Sequence, residues 1–100
     1  MTTIAKDADV VTVVNVFTVE PENQQRLIDV LVRAAESVVS KMDGYVSANL
    51  HRSLDGTRVV NYAQWRSRDQ LEAMLRSAEA QEHMQAAAAL ATNVEPHLYA

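Results

Sequence analysis

Residues 10–19 form a run rich in valine and threonine, which reads as a buried β-strand. Its two-residue period puts Val11, Val13, Asn15, Phe17 and Val19 on one face, and Thr12, Val14, Val16 and Thr18 on the other. The period changes after Glu20-Pro21. Proline is tolerated in a first helical turn because its missing N–H would have no partner there. From that point Leu27, Val30, Leu31, Ala34, Val38 and Met42 recur at helical spacing, predicting one long amphipathic helix that stops at Gly44. Alternation returns over residues 45–53 and 58–65, two strands joined across Leu54-Asp55-Gly56-Thr57, where Asp-Gly is a strong hairpin signal. Ser67 and Gln70 are spaced as a capping box ahead of Leu71, Met74 and Leu75. A further helical piece is expected from about residue 79 to 92, carrying His83, Met84 and an alanine run. A short last strand is expected over 94–99.

The order strand, helix, strand, strand, helix, strand predicts an α+β domain, the ferredoxin-like split βαβ with an antiparallel sheet. Both sheet faces carry apolar residues, yet the helices suffice to cover one. Packing of two sheets in a homodimer, a dimeric α+β barrel, would cover the other. Residues 1–9 hold Lys6, Asp7 and Asp9 without an apolar block and read as a disordered leader, leaving residues 10–100 as the domain.

Composition narrows the chemistry mainly by exclusion. With no cysteine, thiolate catalysis, cysteine-ligated metal and disulfides are ruled out, as suits a reducing cytoplasm. The two glycines, Gly44 and Gly56, are too few for a glycine-rich phosphate loop or a dinucleotide fingerprint. A net charge of −4 with scattered basic residues argues against nucleic acid and anionic membranes as partners. No stretch approaches the roughly 20 apolar residues of a membrane span. The three histidines lie on three different elements without metal-ligand spacing, so no metal is expected.

Asn61 and Trp65, four apart on one strand, share a face with Val59 and Ala63. An asparagine among such neighbours is costly to bury unless something bonds its amide, either backbone or a ligand. Asn15 poses the same question on the first strand. The side on which His51 falls depends on the hairpin. A two-residue Asp-Gly turn sets it opposite Asn61, whereas a three-residue loop with Gly56 as a bulge brings Tyr45, Asn49 and His51 onto the Asn61 face. The bulged loop is preferred because only its last position demands glycine.

The segment Ser-Ala-Asn-Leu-His-Arg-Ser-Leu-Asp-Gly-Thr-Arg-Val-Val-Asn-Tyr-Ala-Gln-Trp (residues 47–65), together with Val-Val-Asn-Val-Phe-Thr-Val (13–19), resembles the antibiotic biosynthesis monooxygenase family. In particular it is similar to the family's small aromatic-polyketide oxygenases, which act on anthrones and related phenols without a cofactor. The resemblance extends over roughly residues 10–99, with Val-Val-Asn-Tyr-Ala-Gln-Trp its most specific part. It implies a pocket between sheet and helices, with Asn61, Trp65 and His51 as catalytic residues. Asn15, Phe17, Leu71, Met74, His83 and Met84 are implied as the substrate-binding set. Other members draw a tyrosine and an arginine from the helical segments, where this chain offers Leu71 and Gln81-Glu82-His83, with no matching tyrosine.

On this reading a small aromatic substrate that becomes electron-rich on losing a proton reacts with dioxygen directly. The protein supplies a dry pocket, donors for the developing charge, and a base, His51 or His83. The product is a quinone or a hydroxylated ring. Two other readings stay open at this level. One is a haem-binding or haem-degrading member of the same superfamily, using Asn15 and His83. The other is a non-catalytic dimer that holds an aromatic ligand.

Overall fold

The structure, a computed structural model, describes residues 10–100. The leader expected over residues 1–9 lies outside them. Strand β1 (Val11–Val19) leads through a 3-10 turn at Pro21–Asn23 into helix α1 (Gln24–Ser37). The single helix expected to reach Gly44 is interrupted. Val38 leaves helical geometry (φ −125°, ψ −63°), and Val39–Lys41 add a 3-10 turn. Val38 and Val39 are consecutive β-branched residues, which lose side-chain freedom against the preceding helical turn. Gly44, at φ +90°, then takes the left-handed conformation that sends the chain back along the sheet.

Strands β2 (Tyr45–Arg52) and β3 (Arg58–Trp65) form the hairpin. Helix α2 (Arg68–Arg76) starts on the expected cap, with the Ser67 hydroxyl accepting from the Gln70 backbone N–H at 3.1 Å. Ser77 caps helix α3 (Ala78–Leu90) in the same way. Helix α3 ends at Leu90 rather than residue 92, and strand β4 (Ala91–Tyr99) begins at once. The Thr92 hydroxyl bonds the Thr18 carbonyl at 3.1 Å, and a register slip between Thr18 and Val19 accommodates the early start.

The sheet has the order β2-β3-β1-β4 with every neighbouring pair antiparallel, so the chain has the ferredoxin-like α+β fold expected. The helices cover the face of Phe17, Val19 and Val59, which pack with Leu27 of α1 and Ala87 of α3. Leu27, Val59, Trp65 and Leu71 are the largest fully buried side chains, each contributing roughly 1.5–3 kcal/mol by leaving water. On the opposite face Val14, Val16 and Val60 are half-buried and Tyr62 is exposed. No helix among the described residues is long and apolar enough to cross a membrane.

Candidate functional site

The position of every site residue on β2 follows from the hairpin register. Ser53 and Arg58 close the loop. The Ser53 N–H donates to the Arg58 carbonyl at 2.9 Å, and the Gly56 N–H donates back to Ser53 at 3.2 Å. The loop is therefore four residues long, neither of the two lengths weighed from sequence. It keeps the register that a two-residue turn would have set, with Leu50 opposite Asn61 and His51 opposite Val60. His51 and Asn49 consequently face away from Asn61, which corrects the expected placement. A bulge does exist, but at the other end of β2, between Tyr45 and Ser47. The extra residue turns Tyr45 alone onto the Asn61 face, opposite Trp65.

Across the middle of the sheet, Leu50, Asn61, Asn15 and Pro96 stand in register on the helix-covered side. Asn15 and Asn61 are direct partners, and the amide oxygen of each is buried without a hydrogen-bond partner. Their neighbours explain why. Val13, Phe17, Val59, Ala63 and Leu50 donate nothing, the proline opposite Asn15 offers no polar side chain, and among the described residues no hydrogen bond joins the two amides to each other. An unsatisfied buried acceptor costs about 1–3 kcal/mol, so two side by side are a standing demand for a donor.

Over the Leu50–Asn61 end of this row lies a cavity of about 320 Å³, at the lower end of the size that holds small organic ligands. Its helix wall is Leu31, Val32, Ala35 and Glu36 of α1, with Ser40 from the following turn. Its sheet wall is Tyr45, Ala48 and Leu50 of β2 with Asn61 of β3. Trp65 is 1% exposed and meets the cavity side through Tyr45, whose ring stands edge-on to the indole with centroids 5.8 Å apart.

The structure brings Asn15, Asn61 and Trp65 to one face and divides the rest of the expected set. Phe17 and Leu71 are buried in the core, Met74 and His83 are half-buried, and Met84 is 38% exposed. Of the expected set Asn61 alone lines the cavity; Asn15 and Trp65 share its sheet face but are not in the lining. On α3 the inward stripe runs Ala80, His83, Ala87, so His83 turns inward and Met84 outward. His97 is exposed on β4, opposite Val14. Tyr45 is on the Asn61 face as the sequence suggested, but through a bulge at the other end of β2, and sequence reasoning missed Glu36 and the other α1 residues. The available signal was a second facet beside the main stripe of α1, formed by Val32 and Ala35. Among the described residues no cluster of side chains is arranged to hold a metal ion.

The antibiotic biosynthesis monooxygenase model matches residues 10–89. Over 83 residues, covering 83% of this chain and 74% of the relative, the sequence is 48% identical to tetracenomycin-F1 monooxygenase of Streptomyces glaucescens. Among solved structures, SnoaB of Streptomyces nogalater, a cofactor-independent oxygenase, superposes with a TM-score of 0.84 at 30% identity, covering 93% of both chains. An anthrone oxidase-like protein superposes with a TM-score of 0.84 at 25% identity, over 95% of this chain and 40% of that one. A matched model spanning most of the domain, a close relative and a shared fold agree: the chain is a monooxygenase belonging to the antibiotic biosynthesis monooxygenase family.

Proposed function

We propose that this monooxygenase oxidises an anthrone or a related phenolic polyketide with dioxygen, without metal or flavin, giving a quinone or a hydroxylated ring. The orphaned amide oxygen of Asn61 in the cavity lining, with that of Asn15 beside it on the sheet, carries this reading. Two acceptors in apolar surroundings fit a ligand that brings hydroxyl donors on a flat hydrophobic body, as a phenol does. The volume of the cavity and the aromatic edge supplied by Tyr45 suit such a ring system. The relatives that act on tetracenomycin F1, or are described as cofactor-independent oxygenases, support the same class of chemistry.

Dioxygen is a triplet and reacts slowly with closed-shell molecules. An anthrone that has lost a methylene proton is electron-rich enough to pass one electron to dioxygen. The resulting pair joins at carbon as a peroxide, and loss of water leaves a carbonyl. The net change is ring CH2 and O2 to ring C=O and H2O. In this scheme Asn61, with Asn15 behind it, holds the substrate oxygen, and the apolar walls keep water from the peroxide. The haem reading would need His83 and Asn15 at one cavity, and neither is in the lining.

Asn61→Leu tests the assignment, since leucine has the same branched side-chain skeleton and removes the orphaned acceptor. The variant should be at least as stable as the parent in thermal unfolding, while oxygen uptake with anthrone falls about tenfold or more. Undiminished uptake would refute the role given to Asn61.

We also propose that the domain works as a cytoplasmic homodimer, with Val14, Val16, Val60 and Tyr62 of the bare sheet face against a second copy. A monomeric mass by light scattering at micromolar concentration would exclude it.

A further inference from the structure

We infer that Glu36 is the proton acceptor of the reaction, a role resting on the reading that the cavity takes an anthrone-like substrate. That substrate must lose a carbon-bound proton before it can reduce dioxygen. The histidines expected to take it are elsewhere: His51 belongs to the bare sheet face and His83 does not reach the lining, and His97, the third histidine, also lies on the bare face. Four polar residues line the cavity: Asn61, Ser40, Tyr45 and Glu36. An amide does not accept a proton at useful cost, and the two hydroxyls are donors before they are bases. Glu36 is the one carboxylate in the lining.

Its placement suits the task. Glu36 belongs to the α1 wall and Asn61 to the sheet wall, so a substrate between them meets a base on one side and an oxygen-binding amide on the other. Among the described residues no cation or hydrogen-bond donor engages the Glu36 carboxylate; the ion pair they form is Arg68–Glu72. The backbone beneath it is held, because the Ser40 hydroxyl donates to the Glu36 carbonyl at 3.2 Å and ties the 3-10 turn to the end of α1. The side chain is exposed at the rim, so the acquired proton has a route to solvent.

The step balances as follows. The methylene C–H bond breaks, its proton forms an O–H bond on Glu36, and the electron pair stays in the ring system. One electron passes to dioxygen, the carbon–oxygen bond forms, and the Glu36 proton returns to the terminal peroxide oxygen. Loss of the second methylene hydrogen as a proton, with cleavage of the O–O bond, yields the carbonyl and water.

The test compares the parent with Glu36→Gln on anthrone and on anthrone deuterated at the methylene carbon, following oxygen uptake. Binding is followed separately by quenching of Trp65, the chain's one tryptophan. Glu36→Gln should lower turnover by about 100-fold or more with unchanged affinity. The deuterium effect should grow as carbon–hydrogen cleavage becomes limiting, and Glu36→Asp should recover part of the rate. Unchanged turnover in Glu36→Gln overturns the proposal, as does a loss that follows affinity alone with an unaltered isotope effect. A parent protein that consumes no oxygen with anthrone or related phenols overturns the underlying reading itself.

Discussion

Tyr45 meets Trp65 edge to face, with ring centroids 5.8 Å apart and planes at 86°, because a single extra residue between Tyr45 and Ser47 turns Tyr45 inward. Edge-to-face pairs contribute about 0.5–1.5 kcal/mol beyond the area they bury. Tyr45→Phe keeps the ring and should leave stability and Trp65 fluorescence nearly unchanged. Tyr45→Ala opens the cavity onto the indole and should cost about 2 kcal/mol in urea unfolding, with red-shifted native emission. Equal behaviour of the two variants would mean that the ring contact contributes nothing.

Gln24, buried at the first turn of α1, anchors the hairpin from outside. Its amide donates to the carbonyls of Ser53 at 3.1 Å and Arg58 at 3.0 Å, the two residues that close the loop. Both carbonyls also accept a backbone N–H, so removing the amide does not orphan them. Gln24→Met should therefore cost only about 1–2 kcal/mol. Gln24→Glu sets a carboxylate against two carbonyl oxygens and should cost more. Denaturant unfolding ranks the two, and faster hydrogen exchange at the Ser53 and Gly56 amides would show that the loop itself has loosened.

Asp55 organises the exposed loop tip. Its carboxylate accepts from the Thr57 hydroxyl at 2.7 Å, the Ser53 hydroxyl at 2.7 Å and the Thr57 backbone N–H at 3.0 Å. These bonds, that of the Thr57 hydroxyl foremost, hold its pKa down to about 2 from an ordinary 3.8. The unfolded chain therefore binds this proton more readily than the folded one. Its stabilising contribution is complete above the ordinary value and fades as the pH falls through about 2. An NMR titration should show the Thr57 amide shifting with a midpoint well below that of a free aspartate. A midpoint at the ordinary value would disprove the bonding pattern.

Much of the fold was legible along the chain because its determinants are local. The two-residue period set Asn15 and Asn61 on the core-facing side of their strands, and the Ser67 cap marked the start of α2. The candidate site was less legible. Asp55-Gly56 fits hairpin loops of several lengths, and a one-residue difference moves His51 from one face to the other. Asn61 and Trp65 could be singled out in advance. Tyr45 could not be fixed securely, because its direction depends on a bulge that no residue type demands.

By itself, then, the sequence determined the order of elements, the face on which Asn15 and Asn61 lie and the kinship with the oxygenases. These follow from periodicity and from a hairpin segment whose residues are specific. Tertiary structure alone decided the register around the loop and the bulge at Tyr45. It also set which stretch of helix stands over the asparagine pair. The physical reason is that those choices rest on contacts between distant segments. Gln24 reaches the hairpin across 29 and 34 positions of chain, and α1 closes a cavity whose floor is Asn61. The same packing brings Glu36 to the cavity and leaves His51 on the bare face of the sheet.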